Sequence, residues 1–137
     1  MPSRARAHFI YCVTGFKSCN LIGTKSPDGK TNLAIFSSVT HLGSNPLLLG
    51  FVLRPNTVVR NTFDNLKETG VFTVNHVSDQ MIRKAHQTSA KYPTGVSEFD
   101  QTGLKEEYRD NFEAPYVAES VIKIGCRYVN EYYLKEN

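Results

Sequence analysis

The 137-residue sequence predicts a mainly β fold, a small antiparallel barrel carrying short helices. Three observations carry that prediction. Asp28-Gly29 sits between two apolar runs, the strongest short-range signal for a hairpin. Val121 to Tyr133 alternates, with Ile122, Ile124, Cys126 and Tyr128 on one face and Lys123, Arg127 and Glu131 on the other. Only two stretches carry a helical period, and a helix covering one opening favours a barrel over a sandwich.

The elements follow in order. Phe9–Val13 and Ser18–Lys25 are short strand candidates, rich in apolar and β-branched residues. After the Ser26-Pro27-Asp28-Gly29 turn, Asn32–Ser38 returns with Leu33 and Ile35 on one face and Ala34 and Phe36 on the other. Both faces are apolar, which predicts a central strand. Leu47–Leu53 is a further apolar run behind the Asn45-Pro46 breaker. Val59, Phe63 and Leu66 are spaced as one helix face, and Gly70 suits its end. Val71–His76 reads as a strand. Ser78-Asp79 can cap a helix through Met81, Ile82 and Ala85. Thr88–Asp110 carries mostly loop signals, a length that in compact domains is often functional.

Composition excludes several classes. The net charge of +3 is small and its lysines and arginines alternate with acids, so no basic stripe for nucleic acid forms. No apolar run reaches the ~20 residues of a membrane span, and Phe9–Val13 is too short for a secretory core segment. Cys12, Cys19 and Cys126 show no paired spacing, which points to buried thiols in a reducing, cytoplasmic setting. The four histidines are scattered without metal-ligand spacing, and no hydrolase, Walker or dinucleotide motif occurs. An enzyme without its own nucleophile or acid–base pair would rely on a cofactor for its chemistry.

The run from Gly29 to Thr62 holds the densest set of polar donors between apolar strands. Ser37, Ser38 and Thr40 close one strand; Arg54 and Arg60 flank a Pro-Asn turn ahead of Thr62 at a helix start. Hydroxyls, guanidinium forks and a helix N-terminus suit a bound phosphate. The same residues suit a self-satisfied turn, an ordinary helix cap and solvated arginines, and spacing alone leaves both open. His86, Ser89 and Lys91, at a helix end and loop start, are equally open.

Several blocks in order resemble the flavin reductase-like family of FMN-binding split barrels. They are Asp28-Gly29 with Thr31-Asn32-Leu33-Ala34 and Ser37-Ser38, Asn45-Pro46-Leu47-Leu48, Thr62-Phe63-Asp64-Asn65-Leu66 with Phe72-Thr73-Val74-Asn75, Ser97-Glu98-Phe99-Asp100 with Gly103-Leu104, and Ala114 to Ser120 ending at Cys126. The blocks span nearly the whole chain from about Ser18. The resemblance implies an FMN-binding split barrel over residues 1–137, homodimeric, with flavin near the subunit interface. It places Asn32, Ser37, Ser38 and Thr40 along the ring and ribityl chain, Arg54, Arg60 and Thr62 at the phosphate, and His86, Ser89 and Lys91 near the ring. It implies electron transfer from NADH or NADPH through FMN to free flavin or another acceptor. A non-catalytic flavin carrier, a ferric-complex reductase and a flavin-free remnant are the alternatives. Relatives continue with a further hairpin where this chain reaches Lys135-Glu136-Asn137, so the resemblance also implies a barrel shortened at its C-terminus.

Overall fold

A computed structural model describes residues 1–54, 61–90, 92–93 and 95–135. A four-stranded antiparallel sheet forms its centre, in the order β2-β1-β5-β8. These strands are β1 (Asn20–Lys25), β2 (Thr31–Phe36), β5 (Val71–His76) and β8 (Lys123–Arg127). Two ribbons flank it: β3 (Thr40–Ser44) with β4 (Leu47–Gly50), and β6 (Glu106–Glu107) with β7 (Tyr116–Val117). The helices are α1 (Ser3–Val13), α2 (Asn61–Thr69), α3 (Ile82–Gln87) and α4 (Glu98–Thr102), with a 3-10 turn at Asp79–Met81 ahead of α3.

The β1–β2 hairpin forms as the Asp-Gly signal predicts. Gly29 takes φ +94°, and its N–H donates to the Ser26 carbonyl at 3.0 Å. Register pairs Leu21 with Ile35 and Ile22 with Ala34. Alternation sends the two strand faces into separate cores. Leu21 and Leu33 pack with Met81, Ala85, Phe99, Leu104 and Val117, while Ile22 packs with Leu66, Phe72 and Val74. Phe51 stands edge-on to Phe36 and Phe72, at centroid distances of 5.1 and 5.6 Å, and closes the second core.

Five expectations need correction. Residues 9–13 are helical, because Ala5, Ala7 and the arginines ahead of them favour a helix and no strand offers them a register. β1, not β2, is central: helices and loops cover both faces of β2, so its two apolar sides do not require two strand neighbours. The Leu47–Leu53 run contributes only four strand residues, in a ribbon whose Leu47 is 87% exposed. The long loop contains α4, capped by the Ser97 hydroxyl and ended by Gly103 at φ +80°. The final strand covers Lys123–Arg127 alone. After Tyr128 N–H bonds the Gly70 carbonyl at 2.8 Å, the chain leaves the sheet and Glu131 turns to Lys67. α2 and its Gly70 stop form as predicted, with Gly70 N–H on the Leu66 carbonyl at 2.9 Å, although Val59 lies outside the described residues.

Candidate functional site

The β2–β3 loop and the segment after β4 lie side by side. Ser38 Oγ accepts the Val52 N–H at 2.9 Å, which brings the half-buried Ser37 and Ser38 beside the stretch that ends at the exposed Arg54. Thr40, exposed, opens β3 opposite Gly50. Ser37 Oγ also meets the hydroxyl of Tyr11 on α1. The rim is therefore a row of accessible hydroxyls and one guanidinium. Beside it stand the exposed apolar side chains Leu42, Leu49 and Val52.

Asn32 and Thr62 sit deeper, 5% and 4% exposed, and face each other. The Asn32 amide satisfies both its neighbours in one orientation only. Its oxygen accepts from Thr62 Oγ1 at 2.7 Å, and its nitrogen donates to both Glu98 carboxylate oxygens at 3.1 Å. Glu98 Oε1 also accepts the Leu33 N–H at 3.0 Å. Burial pushes the Glu98 carboxyl above its ordinary value, against the opposing pull of that N–H. Nearby, Asn65 donates to Thr24 Oγ1 at 3.0 Å and ties α2 to β1.

His86 and Ser89 are exposed at the end of α3, where Ser89 Oγ caps the His86 carbonyl at 2.7 Å. No hydrogen bond among the described residues joins them to the rim. Arg60 and Lys91 lie outside the described residues. Glu98, named only within a block of the family resemblance, and Tyr11 were not among the candidate site residues read from the sequence. Ser97-Glu98-Phe99-Asp100 is a Ser-x-x-Asp capping pattern, a signal that would have placed Glu98 on a helix. Nothing in the sequence pointed to Tyr11.

Among the described residues no group of three or more His, Cys, Asp or Glu could hold a metal ion. Cys12, Cys19 and Cys126 are free thiols, and burial pushes Cys126 up to about 11. Tyr108 is pushed up to about 12 by burial, with Glu106 beside it. Among the described residues Cys126 meets the Ile124 carbonyl at 3.8 Å, and Tyr108 donates to Glu106 Oε2 at 3.1 Å. No described helix is long and apolar enough to cross a membrane.

A mainly antiparallel sheet with short helices across it and a hydroxyl-rich rim is the architecture that the comparisons with known proteins place among the split barrels. The flavin reductase like domain matches residues 16–136, and the chain belongs to that family. A split-barrel domain protein of the flavin reductase kind from Shewanella frigidimarina NCIMB 400 is 48% identical with a TM-score of 0.95, over 99% of this chain and 67% of that one. The flavoredoxin of Desulfovibrio vulgaris (Miyazaki F) shares the fold at TM-score 0.77 and 23% identity, over 85% of this chain and 62% of that one. An uncharacterized protein of Aquifex aeolicus is 30% identical over 108 residues, 77% of this chain and 55% of that protein. The chain spans about half the length of the curated relatives it matches.

Proposed function

We propose that this chain forms the FMN-binding part of an NAD(P)H-dependent flavin oxidoreductase. The observation that carries the reading is the rim itself, within a chain of the flavin reductase-like family. Ser37, Ser38, Thr40 and Arg54 lie beside exposed leucines, a donor set matched to a ligand with a flat apolar ring and an anionic tail. The residues present therefore fit FMN. Arg54 and the first turn of α2 would hold the phosphate, and the Ser37–Thr40 loop the polar edge. Flavin, when bound, supplies the acceptance of hydride from a reduced nicotinamide and the onward delivery of electrons. The chain's own residues bind and orient it and shield one side from water. The exposed apolar ribbon β3–β4 is the surface that a second copy would cover in a homodimer, and the three free thiols suit a cytoplasmic protein.

Titrating purified protein with FMN and following fluorescence quenching tests the reading. Saturable binding is expected, and Arg54→Ala should weaken it about tenfold or more through loss of a charge-assisted contact. Oxidation of NADH or NADPH with added FMN then separates a reductase from a carrier. Failure of the wild-type protein to bind FMN would overturn the reading.

A further inference from the structure

We propose that Glu98 is a positioning residue for this site, acting through the Asn32 amide on Thr62 to fix the first turn of α2 against β2. The proposal rests on the FMN reading only for its functional consequence.

The chain of contacts runs through three elements. Glu98, the first residue of α4, takes the Leu33 N–H and the Asn32 side-chain N–H₂ on its carboxylate. Its demand for donors decides which way the Asn32 amide points, since an amide offers donors at one end and acceptors at the other. The Asn32 oxygen is then left for Thr62, whose hydroxyl must donate. Thr62 sits in the first turn of α2, where the backbone N–H groups lack helical partners and would meet an anion. Reversing the amide would force the hydroxyl to accept instead, turning its proton away from β2. Neighbouring contacts brace the same junction: Thr31 Oγ1 meets Ser97 Oγ at 2.7 Å and donates to Glu106 Oε1 at 2.8 Å. A buried polar chain of this kind is favourable when every member is satisfied, and costly when one is not.

The polarity of the pair supplies its own test. Asn32→Asp places two carboxylates face to face, and Glu98→Gln places two amides. The double variant restores one carboxylate and one amide with their positions exchanged, and both Leu33 N–H and Thr62 Oγ1 keep an acceptor. Hydrogen exchange of the residue 63–65 amides, read without FMN, should quicken about tenfold in each single variant and return to about the wild-type rate in the double. FMN affinity, read by fluorescence quenching, should fall and recover in parallel. If Asn32→Asp alone does not fold, a folded double variant is the rescue, and an unfolded one overturns the proposal. Unchanged exchange in Glu98→Gln, or no recovery in the double variant, also overturns it. A wild-type protein that ignores FMN refutes the flavin reading instead, and the exchange measurements still decide the role of Glu98.

Discussion

Gly23 has no room for a side chain, and Gly23→Ala should be among the most damaging single-methyl additions in this chain. A Cβ at that position would lie 2.4 Å from the Pro115 carbonyl oxygen and 2.7 Å from Thr73 Oγ1. Neither atom is free to retreat. Thr73 Oγ1 donates to the Pro115 oxygen at 2.6 Å, and Thr73 is held opposite Gly23 in the β1–β5 register. β1 is paired on both edges, so the strand cannot shift away as a unit. Overpacking of this kind costs about 1–3 kcal/mol. Parting the Thr73–Pro115 bond adds about 1–2 kcal/mol, because the buried carbonyl loses its donor. Removing a strand glycine returns ~0.5–1 kcal/mol. The net loss is about 1–4.5 kcal/mol, a substantial share of the ~5–15 kcal/mol typical of a domain. Urea unfolding followed by far-ultraviolet circular dichroism and tyrosine fluorescence measures it. Gly70→Ala is the control, since Gly70 has φ +74° and nothing within 4 Å of its would-be Cβ, leaving only left-handed backbone strain of about 1–2 kcal/mol. A Gly23→Ala unfolding free energy within about 0.5 kcal/mol of wild type, at unchanged slope, would refute the steric argument.

Asn75→Ala should cost about 3 kcal/mol. The fully buried amide donates to the Leu21 carbonyl and Thr73 Oγ1 and accepts from the Val117 N–H, each at 3.0 Å. Accelerated exchange of the Val117 amide would report the loss locally. Lys123→Met should cost about 1–2 kcal/mol, because the nearly buried ammonium bonds Glu107 at 2.7 Å and the Ala118 carbonyl at 3.1 Å, tying β8 to the β6–β7 ribbon. It should also change the response to acid. Lys123, then Arg109, holds the Glu107 carboxyl below its ordinary value, so the pair's contribution is present above the unfolded carboxylate pKa and is lost as pH falls through the lowered one. Melting temperatures across the acid range should therefore decline less steeply in Lys123→Met than in wild type; parallel profiles would count against the pairing.

The parts legible in the sequence are those whose signal is local. The Asp28-Gly29 hairpin, the α2 helix with its Gly70 stop and the Val71–His76 strand each rest on a turn residue or a period inside one segment. The misreadings come where tertiary context decides. Phe9, Ile10 and Val13 look like strand residues, yet they stand exposed on a helix. Leu33 and Phe36 look like a central strand because covering helices and loops hide both faces as well as strands would. α4 is five residues long, too short for a helical period to register, and only its cap announces it. The Ser37–Ser38 loop and Arg54 were legible as a polar rim. The link that sets Ser38 beside Val52 is a hydrogen bond between residues distant in sequence.

Burial sorts the polar residues between the sheet and α2, ligand candidates and others alike, into two groups. Thr24 with Asn65, Asn32 with Thr62 and Thr73 with Asn75 are all nearly or fully buried, and each pair is joined within the protein. A ligand reaching those atoms would have to break a satisfied buried bond, and the bond it formed in exchange would do little more than offset that loss. Thr40 and Arg54 are exposed and can exchange a solvent partner for a ligand atom, whereas the half-buried Ser37 and Ser38 already meet the Tyr11 hydroxyl and the Val52 N–H and have only their remaining hydroxyl capacity to offer. The inner pairs therefore hold α2 on the sheet, and the rim is the part of the set that the proposed flavin would meet. Asn32 and Thr62, adjacent in the sequence pattern to both groups, belong by their burial to the inner one. On the proposed reading, their influence on a bound anion would run through the position of the α2 N-terminus, which the Glu98–Asn32–Thr62 contacts would help to set.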